Sequence, residues 1–220
     1  MVAEAVLEAA TVRLRPLAEQ DAPLLLRWSN DPDVRHWLHR SESPPATLEL
    51  AQARVEAMCR DPRTLAWCIE AGGRPIGDVR LLEIDTTHGR AELGIAIGEK
   101  DGWDQGYGTD AIRRVLRFAF EELGLRRVWL ITDADNARGI RCYEKCGFVR
   151  EGVLRGHRLR YGRPLDMLAM AVLREELRMA NLYRALKGDA PTEAAEFSRR
   201  ACAIQPPASD SRPPVRPPWR

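Results

Sequence analysis

The chain has 220 residues, 45% hydrophobic and 30% charged, which suits one globular domain of ordinary size plus an appendage. Its 34 basic and 32 acidic side chains nearly cancel, which argues against a nucleic-acid partner, and no apolar run is long enough to cross a bilayer. The opening MVAEAVLEAA lacks a cationic start and a long apolar core, so no signal peptide is expected. Five cysteines, odd in number and without framework spacing, favour a reducing cytoplasm.

TVRLRPL (11–17) alternates as a half-buried strand does, and EQDAPLLLRWSND then reads as a helix ending near Asn30, with Pro32 beyond it. A second helix is expected over 47–60. The runs AWCIE, IGDVRLLEID and RAELGIAIG follow, separated by AGGRP and DTTHG, and such short turns favour antiparallel hairpins. Next comes a strong amphipathic helix, with Ala111, Val115, Ala119 and Leu123 in one row and Ile112, Leu116 and Phe120 beside it. RRVWLIT, apolar on both faces, reads as a central strand. A helix over 136–146 closes at Gly147, and two strands, FVREGVLRG and LDMLAMAVL, complete the pattern. The order βααβββαβαββ implies a mixed α/β (α+β) domain over 1–173, with a mostly antiparallel sheet of about seven strands and helices on both faces.

Past Leu173 the character changes. Residues 174–203 read as a helical extension, with helices over 174–187 and 192–203. The stretch 204–220 is expected to be disordered, since its last fifteen residues hold six prolines and three arginines. No metal is expected: Cys142 and Cys146 lie one helical turn apart and His36 and His39 three residues apart, but neither pair gathers further ligands.

GWDQGYGTDAIRRVLRFAF (102–120) puts Gly102, Gly106 and Gly108 at the start of a helix, where bare backbone can approach a ligand. A Walker loop fails, because Tyr107 and Gly108 stand where Gly and Lys are required. A dinucleotide fingerprint is matched literally by Gly106, Gly108 and Ala111, with Asp133 or Asp135 at a distance suited to a ribose contact. Its strand is too far away, however, and the preceding strands look antiparallel. The remaining reading is an anion site in its own right, with the amides of residues 104–109 converging on a pyrophosphate at a helix start. A glycine turn without a ligand is the plain alternative.

Two neighbouring stretches bear on the choice. In AELGIAIG, alternation puts Glu92, Gly94 and Ala96 on one face, leaving a groove where a thin chain could lie. In NARGIRCYEKCGF, Asn136 and Tyr143 are two turns apart and return to one helix face, within about 20°. Each has a bland reading too, Asn136 as an N-cap and Tyr143 as a packing aromatic.

A strand with a small-residue face, a glycine turn, an amphipathic helix, a strand, then N-x6-Y before EKCGF: this succession, over about residues 11–173, resembles the GNAT superfamily of acetyl-CoA-dependent N-acetyltransferases. The resemblance implies a GNAT-like fold and acetyl-CoA as co-substrate. It implies that Trp103, Asp104, Gln105, Gly106, Tyr107, Gly108 and Thr109 hold the pyrophosphate, while Gly94, Ile95, Ala96 and Ile97 pair with the pantetheine arm. Asn136 would steady that arm and Tyr143 would protonate the departing thiolate. One departure is Trp103, where the family turn usually opens with Gln or Arg; its indole can only donate. The early RLRPL and RWSNDPDVRHW resemble the branch of ribosomal-protein-alanine, spermidine and aminoglycoside acetyltransferases.

An amine of pKa about 10.4 is neutral in roughly one molecule in two thousand at pH 7, so some group must take its proton. Glu92, on the open face of the strand, is the candidate base, through a water or with a shifted pKa; a structural Glu is the competing reading. Amides near Ile95 to Ile97 could stabilise the oxyanion. The acceptor, a small-molecule amine or a protein N-terminus, is not readable, and a homodimer is left open. A non-catalytic acyl-CoA-binding module and a nucleotide-dependent oxidoreductase are the alternatives from other classes.

Overall fold

The computed structural model describes residues 5–38 and 43–177. The chain opens with β1 (Leu7–Glu8) and β2 (Arg13–Pro16), then crosses one face of the sheet through α1 (Ala22–Asn30), α2 (Pro32–Trp37) and α3 (Leu48–Arg60). A meander follows: β3 (Leu65–Ala71), β4 (Arg74–Asp85) and β5 (Arg90–Ile97). The order then runs α4 (Tyr107–Glu121), β6 (Arg127–Asp133), α5 (Ala137–Lys145), β7 (Val149–Arg160) and β8 (Arg163–Leu173). One eight-stranded sheet results, ordered β1-β2-β3-β4-β5-β6-β8-β7.

Two elements differ from the sequence expectation. The eighth strand is β1, whose two residues are too few to show a period; it is fixed by Leu7 opposite Leu14. The other is α2. Pro32 does not only end α1 but also starts a new helix, because Asp31 is extended and its carboxylate accepts from the amides of Asp33 and Val34. Proline fits the first helical position, where its missing N–H costs nothing.

Alternation along the strands builds two cores. Trp67 and Ile69 of β3 join Val79, Leu81, Ala91 and Leu93 under the α4 residues Ala111, Ile112, Val115, Leu116 and Ala119. Both α4 rows read from the sequence are buried there, apart from Leu123, which packs partly buried just beyond the helix. On the opposite face Cys68 meets Ala22, Leu25 and Trp28 of α1 with Ala51 and Val55 of α3. One compact unit runs to Leu177, and the chain is helical from 174 to 177. The rest of the expected extension and the tail lie outside the described residues.

The feature that matters most for function is a fork. All neighbouring strands pair antiparallel except β5 and β6, which pair parallel only at Arg90–Arg127, Ala91–Val128 and Glu92–Trp129. Beyond Glu92, β5 stays on β4 as far as Ile97 opposite Gly77, whereas β6 stays on β8 as far as Asp133 opposite Met167. The hold of β4 on β5 is close: a β-carbon on Gly77 would lie 2.2 Å from the Ala96 carbonyl oxygen. Past the fork, β5 therefore has an edge without a partner strand.

Candidate active site

The glycine turn stands at the mouth of this fork. After Ile97, the amides of Gly98 and Glu99 both donate to the Ile76 carbonyl, and a 3-10 turn over Lys100–Gly102 leads to Trp103. The Trp103 indole N–H donates to the Ile97 carbonyl at 2.8 Å, closing the end of the β5 edge. Asp104 (φ 60°) and Gly106 (φ 86°) are left-handed, and α4 then begins without a side-chain cap. Its first internal bond runs from the Asp110 amide to the Gly106 carbonyl, so the amides of Tyr107, Gly108 and Thr109 have no carbonyl four residues back to donate to. They form the kind of donor set that binds an anion. A β-carbon on Gly106 would meet nothing within 4 Å, so the demand for glycine there is conformational. Gly106→Ala should lose about 1 kcal/mol of stability through left-handed strain alone. An unchanged denaturation midpoint would contradict this.

Across the fork, α5 supplies the second wall. Asn136 accepts from the Gly139 amide (3.0 Å) and donates to the Thr132 hydroxyl (3.2 Å). It is the N-cap, outside the helix proper, so the face arithmetic that paired it with Tyr143 does not apply directly. The two residues are joined another way. Thr132, buried at the end of β6, is also among the polar groups acting on the Tyr143 phenol. Burial pushes the phenol pKa above its ordinary value, and the neighbouring Cys142 adds to the effect, so Tyr143 keeps its proton. Thr132 was missed from the sequence, though its signal was there: a single polar residue inside the apolar run VWLIT.

Cys142 and Cys146 belong to the packing of this wall. The Cys142 sulfur lies 3.3 Å from the Thr109 hydroxyl, and the Cys146 thiol donates to the Thr109 carbonyl at 3.5 Å. The neighbouring Cys146 thiol holds Cys142 below the ordinary thiol range, and Cys146 is pushed up in return, with burial adding to the rise.

The face carrying Glu92, Gly94 and Ala96 differs from expectation. Arg80 of β4 stands opposite Gly94, and a β-carbon on Gly94 would lie 3.4 Å from its Nε. The guanidinium, paired with Asp78 at 2.9 Å, fills the groove the small residues seemed to leave. What stays open is the edge of β5, not its face. Glu92 is half-buried at the fork itself, opposite Trp129 on one side and Leu82 on the other.

Charges and aromatics line the far end of β6. Asp133, 1% exposed, pairs with Arg158 at 3.0 Å and with Arg160, which also holds Asp135 at 2.7 Å. The Arg160 guanidinium faces Trp37 of α2 at 5.3 Å, and the Tyr161 hydroxyl lies 3.4 Å from the His36 imidazole. The tip of the β7–β8 hairpin thereby meets α2. The arrangement removes the dinucleotide reading: Asp133 is consumed by two arginines, and the strands before the glycine turn are antiparallel.

The chain matches the acetyltransferase (GNAT) domain over residues 11–149. It is 30% identical over 173 residues to the uncharacterized N-acetyltransferase YoaA of Bacillus subtilis (strain 168), covering 77% of this chain and 97% of the relative. It is 33% identical over 148 residues to the spermidine N(1)-acetyltransferase of Escherichia coli (strain K12), covering 66% of this chain and 77% of that protein. Among solved structures, spermidine N-acetyltransferase from Vibrio cholerae in complex with CoA and spermine superposes with a TM-score of 0.70 at 26% identity, over 76% of this chain and 98% of that one. A forked mixed sheet, a bare-backbone turn opening a helix and these relationships converge: the chain belongs to the GNAT family and is an N-acetyltransferase.

Proposed function

We propose that this enzyme binds acetyl-CoA in the fork and passes its acetyl group to a primary amine by direct attack in a ternary complex. The observation that carries the reading is the unpaired β5 edge, joined through the turn over residues 98–106 to the free amides at the start of α4. An extended amide-bearing arm suits the edge over Gly94, Ile95, Ala96 and Ile97, and a pyrophosphate suits the turn from Trp103 to Thr109. CoA supplies the activated thioester when bound. Asn136 keeps a second amide hydrogen for the arm, since only one is given to Thr132. Amides near Ile95 to Ile97 would stabilise the oxyanion.

Two side chains move protons in this scheme. Tyr143, held neutral by burial, donates to the leaving sulfur. Glu92, at the fork, takes the amine proton through a water. Catalysis resides in residues 1–173 in this reading, with 174–203 as an extension and the cytoplasm as the setting. No helix among the described residues is long and apolar enough to span a membrane. Relatives named for spermidine and for aminoglycosides favour a small cationic amine over a protein N-terminus.

The test is a panel of polyamines, aminoglycosides and N-terminal peptides, scored for CoA release from acetyl-CoA. At least one amine should be turned over. Binding of acetyl-CoA with no release for any amine would favour a binding module instead. With the best amine, Glu92→Gln should slow turnover while acetyl-CoA affinity changes little, because an amide cannot accept the proton. Wild-type turnover would return Glu92 to a structural role.

A further inference from the structure

Besides the contacts of Cys142 and Cys146 with Thr109, the two walls of the fork are bridged by an aromatic contact: the Arg138 guanidinium carbon lies 3.8 Å from the centroid of the Trp103 ring. Trp103 belongs to the turn that feeds α4. Arg138 is the second residue of α5, on the opposite wall. Three facts about this contact call for an explanation together.

Arg138 is a cation at the positive end of a helix dipole, a position that disfavours it. Among the described residues it makes no ion pair, unlike Arg15, Arg80, Arg158 and Arg160, which all face carboxylates. Its platform, by contrast, is firmly built. The Trp103 indole is fixed by its bond to the Ile97 carbonyl and packs against the core under α1 and α3. A guanidinium seated over an indole face keeps its N–H donors at its rim, available to a planar or forked acceptor.

The missing partner is therefore an anion, and the place is set. Trp103 leads through Asp104 and Gln105 to Gly106, so the guanidinium rests on the same turn that goes on to present the unpaired amides of Tyr107, Gly108 and Thr109. We infer that Arg138, stacked on Trp103, is a phosphate-binding residue that clamps the diphosphate of the acyl-CoA against the start of α4. The inference rests on the acetyl-CoA reading above and adds a residue from the opposite wall to it. Arg138 makes no contact with reacting atoms in this role; it binds and positions. Closing over the diphosphate, the Arg138–Trp103 bridge would hold both walls of the fork on one ligand.

The experiment compares three ligands by calorimetry on the full chain: acetyl-CoA, acetyl-dephospho-CoA, which keeps only the diphosphate, and S-acetylpantetheine, which has neither phosphate group. Arg138→Met should weaken the first two alike, by about tenfold or more, the size of one lost charge-assisted bond, and leave the third unchanged. Arg138→Lys, which keeps the charge without the fork of donors, should fall between wild type and Arg138→Met. Equal affinities for wild type and Arg138→Met would overturn the inference while leaving the acetyl-CoA reading intact. Loss confined to acetyl-CoA would move the contact to the 3′-phosphate and overturn it as stated, as would equal loss for S-acetylpantetheine. Wild-type protein that binds none of the three would overturn the acetyl-CoA reading and this inference together.

Discussion

Tyr143→Phe is expected to slow turnover by about 10²- to 10⁴-fold, while the affinity for acetyl-CoA and the fold change little. The thiolate of CoA resembles that of a free thiol, of pKa about 8.5, and leaves tolerably without help, so activity should persist at a low level. Phenylalanine keeps the ring that stands edge-on to Phe148 at 6.0 Å. Thr132 keeps its bond from Asn136 when the phenol goes. The pH dependence separates this role from a packing role. Burial raises the phenol pKa, so the acid is retained as pH rises through the range where an exposed tyrosine, with a pKa near 10, would begin to ionise. The wild-type rate should therefore not fall there through loss of Tyr143's proton. Steady-state turnover set against the cofactor dissociation constant decides the matter: a mutant with wild-type turnover removes Tyr143 from the mechanism.

The second large effect falls on a residue that touches no reacting atom. Gly98→Ala should destabilise the protein by about 3 kcal/mol, lowering the melting temperature by ~10 °C. A β-carbon on Gly98 would sit 2.1 Å from the Trp28 ring, far inside any real contact. Trp28 has little room to yield, being 4% exposed in the core under α1 and tied by its indole N–H to Glu99 at 2.7 Å. Either the ring leaves its pocket or β5 moves off β4. The second outcome would also displace the turn that follows Gly98, so acetyl-CoA affinity should fall together with stability. Denaturant unfolding within 1 kcal/mol of wild type would show that Trp28 repacks at little cost, contrary to this reading.

How far the site was legible in the sequence depends on the range of the interaction involved. Periodicity acts within a few residues, and it gave both buried rows of α4, the alternation of β5 and the glycine turn. Pro32 shows its limit: the same residue stops one helix and starts another, and only the conformation of Asp31 tells which. Asn136 shows another. Helical arithmetic assumes that both residues are in the helix, and the cap is not. Contacts between strands are harder still. That Arg80 would lie along Gly94 depends on the register of β4 against β5, which no local pattern states. The same holds for Asp133, whose two arginines come from a strand more than twenty residues later. Arg138 on Trp103 joins two walls that only the folded sheet brings together.

The fork has a bearing on solubility. An unpaired strand edge normally invites another chain to add a strand, and proteins commonly blunt such edges with charge or cover. Here the unpaired edge of β5 lies inside the sheet, with β6 beside it at its root and Trp103 closing its far end. The line along that edge starts where the two strands part after Glu92 and ends at the Trp103 indole on the Ile97 carbonyl. The molecule can thus leave backbone donors and acceptors exposed for a passing ligand without that edge becoming a template for aggregation. The protection comes from the geometry of two diverging strands, not from any one side chain, so substitutions within the turn should alter binding without making this edge sticky.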